Sequence, residues 1–212
     1  MKYEGIIFDL DGVICSTDHY HYLAWKALAD RLGIPFNETD NNRLRGVSRM
    51  ESLNIVLEKS TKAYTEDEKV AMATEKNDTY RELLHQMGPA DLSKEVKDTL
   101  DALRSKGCKL AIGSSSKNTP FILERIGLGD YFDAVADGNC ITHSKPDPEV
   151  FLKAAEMIGL DPAKCMVVED AHAGVEAAVN GGFHCAAIGD AKDDVRATYH
   201  LSTFADLLKA AE

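Results

Sequence analysis

Asp9 and Asp11 end the apolar run Ile6-Ile7-Phe8-Asp9-Leu10-Asp11-Gly12. Side chains alternate along a strand, so carboxylates at i and i+2 share a side while the strand persists. Gly12 then lets the chain turn sharply. Two carboxylates at the carboxyl end of a strand suit a hard cation and phosphoryl chemistry, one attacking or ligating while the other moves a proton. On these residues alone, a buried strand followed by an acidic turn fits equally well.

Further segments carry chemistry-bearing residue types. Leu110-Ala111-Ile112-Gly113 runs into Ser114-Ser115-Ser116-Lys117-Asn118, where hydroxyls and free amides ahead of a helix can hold an anion. A serine cluster capping that helix is the simpler reading of the same residues. Lys145, in His143-Ser144-Lys145-Pro146-Asp147-Pro148, can neutralise phosphate oxygens or stay a solvated loop lysine. Val167-Val168-Glu169-Asp170 ends another strand-like run in two acids, and ligands of open parallel sheets bind at such ends.

The elements that must position these groups alternate. Apolar strand-like runs fall at 5–9, 108–113, 134–137, 165–169 and 184–188, with helical patterns at 94–106, 118–126, 149–158 and 173–181. Strands alternating with helices predict an α/β fold with a doubly wound, mainly parallel sheet. Pro120 and Pro148 stand where helices begin, and Gly107, Gly127 and Gly159 just past helix ends. Residues 16–88 break the alternation with helices expected at 17–32, 49–59 and 66–87. His21, Trp25, Leu28 and Leu32 share a face of the first. An all-helical insert of this kind predicts a cap domain at 16–88 on a core of 1–15 and 92–212. Short linkers at about 13–17 and 88–93 would serve as hinges.

At 212 residues the chain can bury a real core. Its net charge of -11 argues against nucleic acid as a partner, whose phosphates need a basic face. The five cysteines form no CxxC pair, so reduced structural thiols and no zinc are expected. Acidic residues interrupt the amino-terminal apolar stretch, so no signal peptide is expected. No apolar run approaches the roughly 18 residues of a membrane span. A cytoplasmic, monomeric protein without membrane contact is the expectation.

The order Asp-x-Asp, strand–Ser, Lys-Pro, strand–Glu-Asp resembles the haloacid dehalogenase superfamily of phosphoryl-transfer enzymes over essentially the whole chain. The insert narrows the likeness. Its segments Thr17-Asp18-His19-Tyr20-His21-Tyr22-Leu23-Ala24-Trp25-Lys26, Leu44-Arg45-Gly46-Val47-Ser48-Arg49 and Glu75-Lys76-Asn77-Asp78, with Ser116-Lys117-Asn118 of the core, resemble the β-phosphoglucomutase family. That resemblance implies interconversion of β-glucose 1-phosphate and glucose 6-phosphate through an aspartyl-phosphate enzyme and glucose 1,6-bisphosphate, with Mg2+ as cofactor. It implies Asp9 as nucleophile and Asp11 as general acid/base. Asp9, Asp11, Glu169 and Asp170 would form the magnesium site. Ser114, Lys145, Ser116, Lys117, Asn118 and Arg49 would bind phosphate. Thr17, His21, Trp25, Arg45, Gly46, Val47, Ser48, Lys76 and Asn77 would shape the sugar site from the cap. Taken without the family, Lys76 reads first as a snorkelling lysine and His21 as a packed histidine, and Arg45 and Arg49 read as a solvated helix start.

One departure is visible. The family's aromatic-Pro-Gly turn after the second linker is replaced by Leu92-Ser93-Lys94-Glu95, where Ser93 can cap a helix. Small sugar phosphates are the expected substrates. A sugar-phosphate phosphatase on the same core is the alternative, with a non-catalytic phospho-acceptor or binding protein as the third reading.

Overall fold

The computed structural model describes residues 1–45 and 47–212. Contacts divide the chain into two compact units, Met1–Ser16 with Gly88–Glu212 and Thr17–Met87.

The larger unit is built on a six-stranded sheet in the order β3-β2-β1-β4-β5-β6. The strands are β1 (Gly5–Phe8), β2 (Lys109–Gly113), β3 (Ala134–Ala136), β4 (Cys165–Glu169), β5 (His184–Ala187) and β6 (Tyr199–His200). Every pairing is parallel. β1 and β4 are central and fully buried, which is why they read as unbroken apolar runs. Helices α5 (Lys94–Ser105), α6 (Thr119–Arg125), α7 (Glu149–Met157), α8 (His172–Asn180) and α9 (Leu207–Ala210) complete this unit. Val150, Phe151 and Ala154 of α7 and Val175 and Ala178 of α8 pack with Ile7, Ala111 and Val167 of the sheet. The doubly wound parallel sheet expected from the sequence is present.

The expected strands and helices are found with ends shifted by a residue or so. Leu10 O gathers the amides of Ile14 and Cys15, and so ends the first strand in a turn. Ser93 Oγ accepts from Val96 N at 3.2 Å, capping α5. β6 and α9 escaped sequence analysis because elements this short carry too little periodicity.

The smaller unit contains α1 (Asp18–Leu32), α2 (Glu38–Asn42), α3 (Arg49–Leu57) and α4 (Glu66–Leu84). Trp25, Leu28, Leu53, Val56, Met72 and Ala73 form its core. The helix expected to reach residue 87 stops at Leu84, and the one expected to reach 59 stops at Leu57. α2 was not anticipated. It starts on an Asn37–Asp40 capping box, in which Asn37 Oδ1 accepts from Asp40 N at 3.1 Å and Asp40 Oδ2 accepts from Asn37 N at 3.0 Å.

Candidate active site

Asp9 directly follows β1, and its amide still donates to Val168 O at 3.0 Å. Phe8 is level with Ile112 on β2 and Val168 on β4. One residue on, Asp9 is therefore level with Gly113 and Glu169, at the carboxyl edge of the sheet. Asp11 lies beyond it in a turn closed by Gly12 N on Cys15 O at 2.8 Å. Gly12 has φ +77°, and a Cβ there would collide with the Asp170 carboxylate. Only glycine lets this turn lie so close to that acid.

Lys145 arrives from the loop before α7. Its Nζ donates to Asp9 Oδ1 at 2.6 Å and to Glu169 Oε1 at 2.5 Å. The Phe151 ring centroid lies 4.6 Å from the same ammonium. Burial opposes the Lys145 charge, but Asp9 and Glu169 overcome it and raise its pKa. Glu169 Oε2 accepts from Ala171 N at 2.9 Å. Burial nevertheless pushes the Glu169 carboxyl upward. A Cβ on Gly174 would strike the Glu169 carboxylate, so α8 is seated directly on this acid. Asp170 is pushed up to about 8, first by burial and then by Glu169, Asp9 and Asp11.

One oxygen from each of Asp9, Glu169 and Asp170 lies within 4.8 Å of the others. This is an oxygen-only donor set of three carboxyl groups, two of them held by Lys145. A hard divalent cation fits it.

Beyond β2 the serines fold into a tight loop. Ser114 N donates to Ala136 O at 3.0 Å. Ser114 Oγ accepts from Ser116 N, and Ser116 Oγ from Asn118 N, both at 3.2 Å. The hydroxyls brace the loop, while Asn118 itself stands at the N-cap of α6 without a side-chain cap bond. Lys117 is exposed, and Asn118 is buried. Ser115 Oγ is buried and without a protein partner. A buried hydroxyl in that condition calls for a ligand or ordered water.

The helical unit holds a second cluster. Lys76 Nζ on α4 lies 2.8 Å from His21 Nδ1 on α1. It also stands 4.7 Å from the Trp25 ring and 4.6 Å from the Tyr80 ring. The His21 and Tyr80 rings stack at 4.0 Å. Burial, then Lys76 and Arg49, hold the His21 pKa well below its usual value. This favours a neutral imidazole, whose Nδ1 would accept from a Lys76 ammonium and leave the proton on Nε2.

Arg49 opens α3, and burial lowers its pKa against the pull of Asp78 and Tyr80. Ser48 Oγ caps that helix from Glu51 N at 3.3 Å. Arg45 stands ahead of α3 and pairs with Asp18 Oδ2 at 2.8 Å. The two arginines therefore do not share a solvated helix start. Thr17 is buried just before α1, and its carbonyl accepts from His21 N at 3.0 Å. Val47 and Asn77 are half-buried. Gly46 lies outside the described residues.

The structure thus joins Asp9, Glu169, Asp170 and Lys145 in one cluster, Ser114, Ser116 and Asn118 in one loop, and His21, Trp25 and Lys76 in another cluster. Sequence analysis named Ser115 only within the serine run, and passed over Phe151, Gly174 and the stacking role of Tyr80. Tyr80 follows Lys76 by one helical turn, a spacing that signals a shared face. No comparable signal marked Phe151 or Gly174.

A parallel doubly wound sheet with a lysine-bridged acid cluster at the carboxyl end of its central strand defines an α/β enzyme. The haloacid dehalogenase-like hydrolase family matches residues 3–182, and the chain belongs to that family. It is 41% identical over 189 residues to a β-phosphoglucomutase of Bacillus subtilis, covering 88% of this chain and 83% of that protein. It is 34% identical over 182 residues to a phosphorylated carbohydrates phosphatase of Thermotoga maritima, covering 84% and 82%. A crystal structure of β-phosphoglucomutase from Clostridium difficile superposes with a TM-score of 0.90 at 34% identity, over 99% of this chain and 96% of that one.

Proposed function

We propose that this enzyme is a phosphomutase interconverting β-glucose 1-phosphate and glucose 6-phosphate. The observation that carries the reading is the His21–Lys76 contact at 2.8 Å inside the helical unit, with Arg49 beside it. A sugar-phosphate phosphatase holds its substrate in one orientation and admits water. A mutase must grip a sugar phosphate in either of two orientations, and this cluster supplies polar groups to do so.

Asp9 attacks phosphorus and forms an aspartyl phosphate as the bond from phosphorus to the sugar oxygen breaks. Asp11 gives that oxygen its proton, and takes a proton from the incoming hydroxyl in the reverse transfer. Lys145 stands on Asp9 and spreads positive charge over the moving phosphoryl group, joined by the Ser114 hydroxyl. Ser116, Lys117 and Asn118 from the core and Arg49 from the cap hold the phosphate that is not reacting. Asp9, Asp170 and the Asp11 carbonyl, supported by Glu169, would hold Mg2+, which when bound supplies charge to the transferring oxygens. The helical unit closes on the carboxyl edge about linkers 13–17 and 88–93 when sugar phosphate binds, so that the aspartyl phosphate meets sugar before water. The free thiols of Cys15, Cys108, Cys140, Cys165 and Cys185 suit a cytoplasmic setting. Among the described residues no helix is long and apolar enough to cross a membrane.

The test supplies Mg2+, a trace of glucose 1,6-bisphosphate, and either anomer of glucose 1-phosphate. Isomerisation of the β anomer alone is expected. Arg49→Ala should lose isomerisation tenfold or more beyond its loss of hydrolysis of a small phosphodonor. Free phosphate as the main product, with equal Arg49→Ala losses in both assays, would establish the phosphatase reading.

A further inference from the structure

Asp194 lies outside every segment assigned above, in the loop between β5 and β6. Its carboxylate is buried. Oδ2 lies 2.7 Å from His172 Nδ1 and accepts from Arg196 Nη2 at 2.7 Å. Oδ1 accepts from Arg196 Nε at 2.9 Å and from Arg196 N at 3.0 Å. The same guanidinium reaches Glu176 Oε2 at 2.7 Å and the His172 carbonyl at 3.1 Å, both on α8. A carboxylate so enclosed is rigid, and these charge-assisted bonds are the strong kind.

The backbone makes the arrangement more than a surface brace. Ala191 N donates to Asp170 O at 2.8 Å, and Asp194 N donates to Ala191 O at 2.9 Å. The links Asp170–Ala191, Ala191–Asp194 and Asp194–His172 close a ring around the turn from β4 into α8. Ile188 N adds a bond to Glu169 O at 2.9 Å. This ring carries the backbone of Asp170, whose carboxylate oxygen lies within 4.8 Å of those of Asp9 and Glu169. Holding ligand oxygens at fixed spacing is the task that outer hydrogen bonds perform around metal ligands.

We propose that Asp194 is a positioning residue for the cation site, locking the β5–β6 loop to the start of α8 and so fixing Asp170. The proposal rests on the cation reading of Asp9, Glu169 and Asp170.

Mg2+ binding to the whole enzyme, measured by titration calorimetry without substrate, tests it. Asp194→Ala should weaken Mg2+ binding about tenfold or more. The KM for sugar phosphate at saturating Mg2+ should stay within about twofold, and turnover should recover as Mg2+ is raised. Asp194→Asn, which keeps the shape, should fall between the two. Arg196→Gln removes the exposed partner and keeps the carboxylate, so it serves if the Asp194 variants do not fold. It should weaken Mg2+ severalfold. Unchanged Mg2+ affinity in the folded variants, with only a lower Tm, would overturn the proposal and leave Asp194 a structural residue. Failure of the parent reading looks different: wild type and Asp170→Ala would then bind Mg2+ equally weakly.

Discussion

Asp170 illustrates how one residue can couple stability to chemistry. Its carboxyl has an ordinary value of 3.8 and is pushed up to about 8 in the folded chain, by burial and then by Glu169, Asp9 and Asp11. Between those values the native state holds a proton that the unfolded chain has released. Stability of the metal-free protein must therefore fall as pH rises from about 4 to about 8, and level off above. Mg2+ competes with that proton, so the stabilisation it confers should grow over the same interval. Thermal midpoints in chelator and in Mg2+, taken from about pH 5 to about pH 8.5, check both slopes. Asp170→Asn should flatten the chelator slope and raise the midpoint at the alkaline end. A slope unchanged in Asp170→Asn would assign the linkage to other groups. The acids themselves were legible as Asp-x-Asp and Glu-Asp pairs at strand ends. Lys145 was legible only as a loop lysine of unusual setting. That it bridges Asp9 and Glu169 depends on a loop and two strands meeting, which no local pattern encodes.

At the scale of elements, the buried strands β1 and β4 and the helices around them were readable because each buries a face with its own period. Strand ends were blurred by a residue because β1 gives way to a turn gathered by Leu10 O, a backbone event with no side-chain signature. α2, β6 and α9 were invisible because short elements borrow their stability from tertiary contacts. The seating of α8 on β4 was equally hidden, since it depends on an atom that is missing. Gly174 sits where any side chain would strike the Glu169 carboxylate. Gly174→Ala must either lift α8 or push Glu169 off Lys145. A loss of about 1–3 kcal/mol is expected from the overpacking. Displacement of Glu169 should also cut turnover and weaken Mg2+ binding. Denaturant unfolding and Mg2+ titration of the same preparation test this together. A Gly174→Ala protein with native stability and Mg2+ affinity would show that the helix shifts freely.

At the scale of the molecule, the proposed mutase cycle requires an aspartyl phosphate to survive until sugar arrives, and the covalent linkage between the two units is short. The break in strand–helix alternation at 16–88 was visible in the sequence, and the helical unit spans Thr17–Met87, whereas the proposed closure has no sequence signal beyond the linkers. His21 follows the first linker closely, and its amide is already tied to Thr17 O at 3.0 Å. Its side chain meets Lys76 in the sugar-facing cluster proposed above. In the proposed cycle, a sugar held by this pair would bear on the linker that leads back to Asp11. His21→Ala and Lys76→Ala should each cut sugar-driven transfer from the phosphoenzyme at least tenfold. Hydrolysis of the aspartyl phosphate in the absence of sugar should stay within about twofold, because water needs no closure. Solution scattering of wild type with Mg2+, fluoride-aluminium phosphate mimic and glucose 6-phosphate should show a smaller radius of gyration than the free enzyme. In His21→Ala that compaction should require more sugar phosphate. Equal losses of transfer and hydrolysis, with scattering profiles identical in all states, would make His21 and Lys76 ordinary binding groups on a cap that does not move.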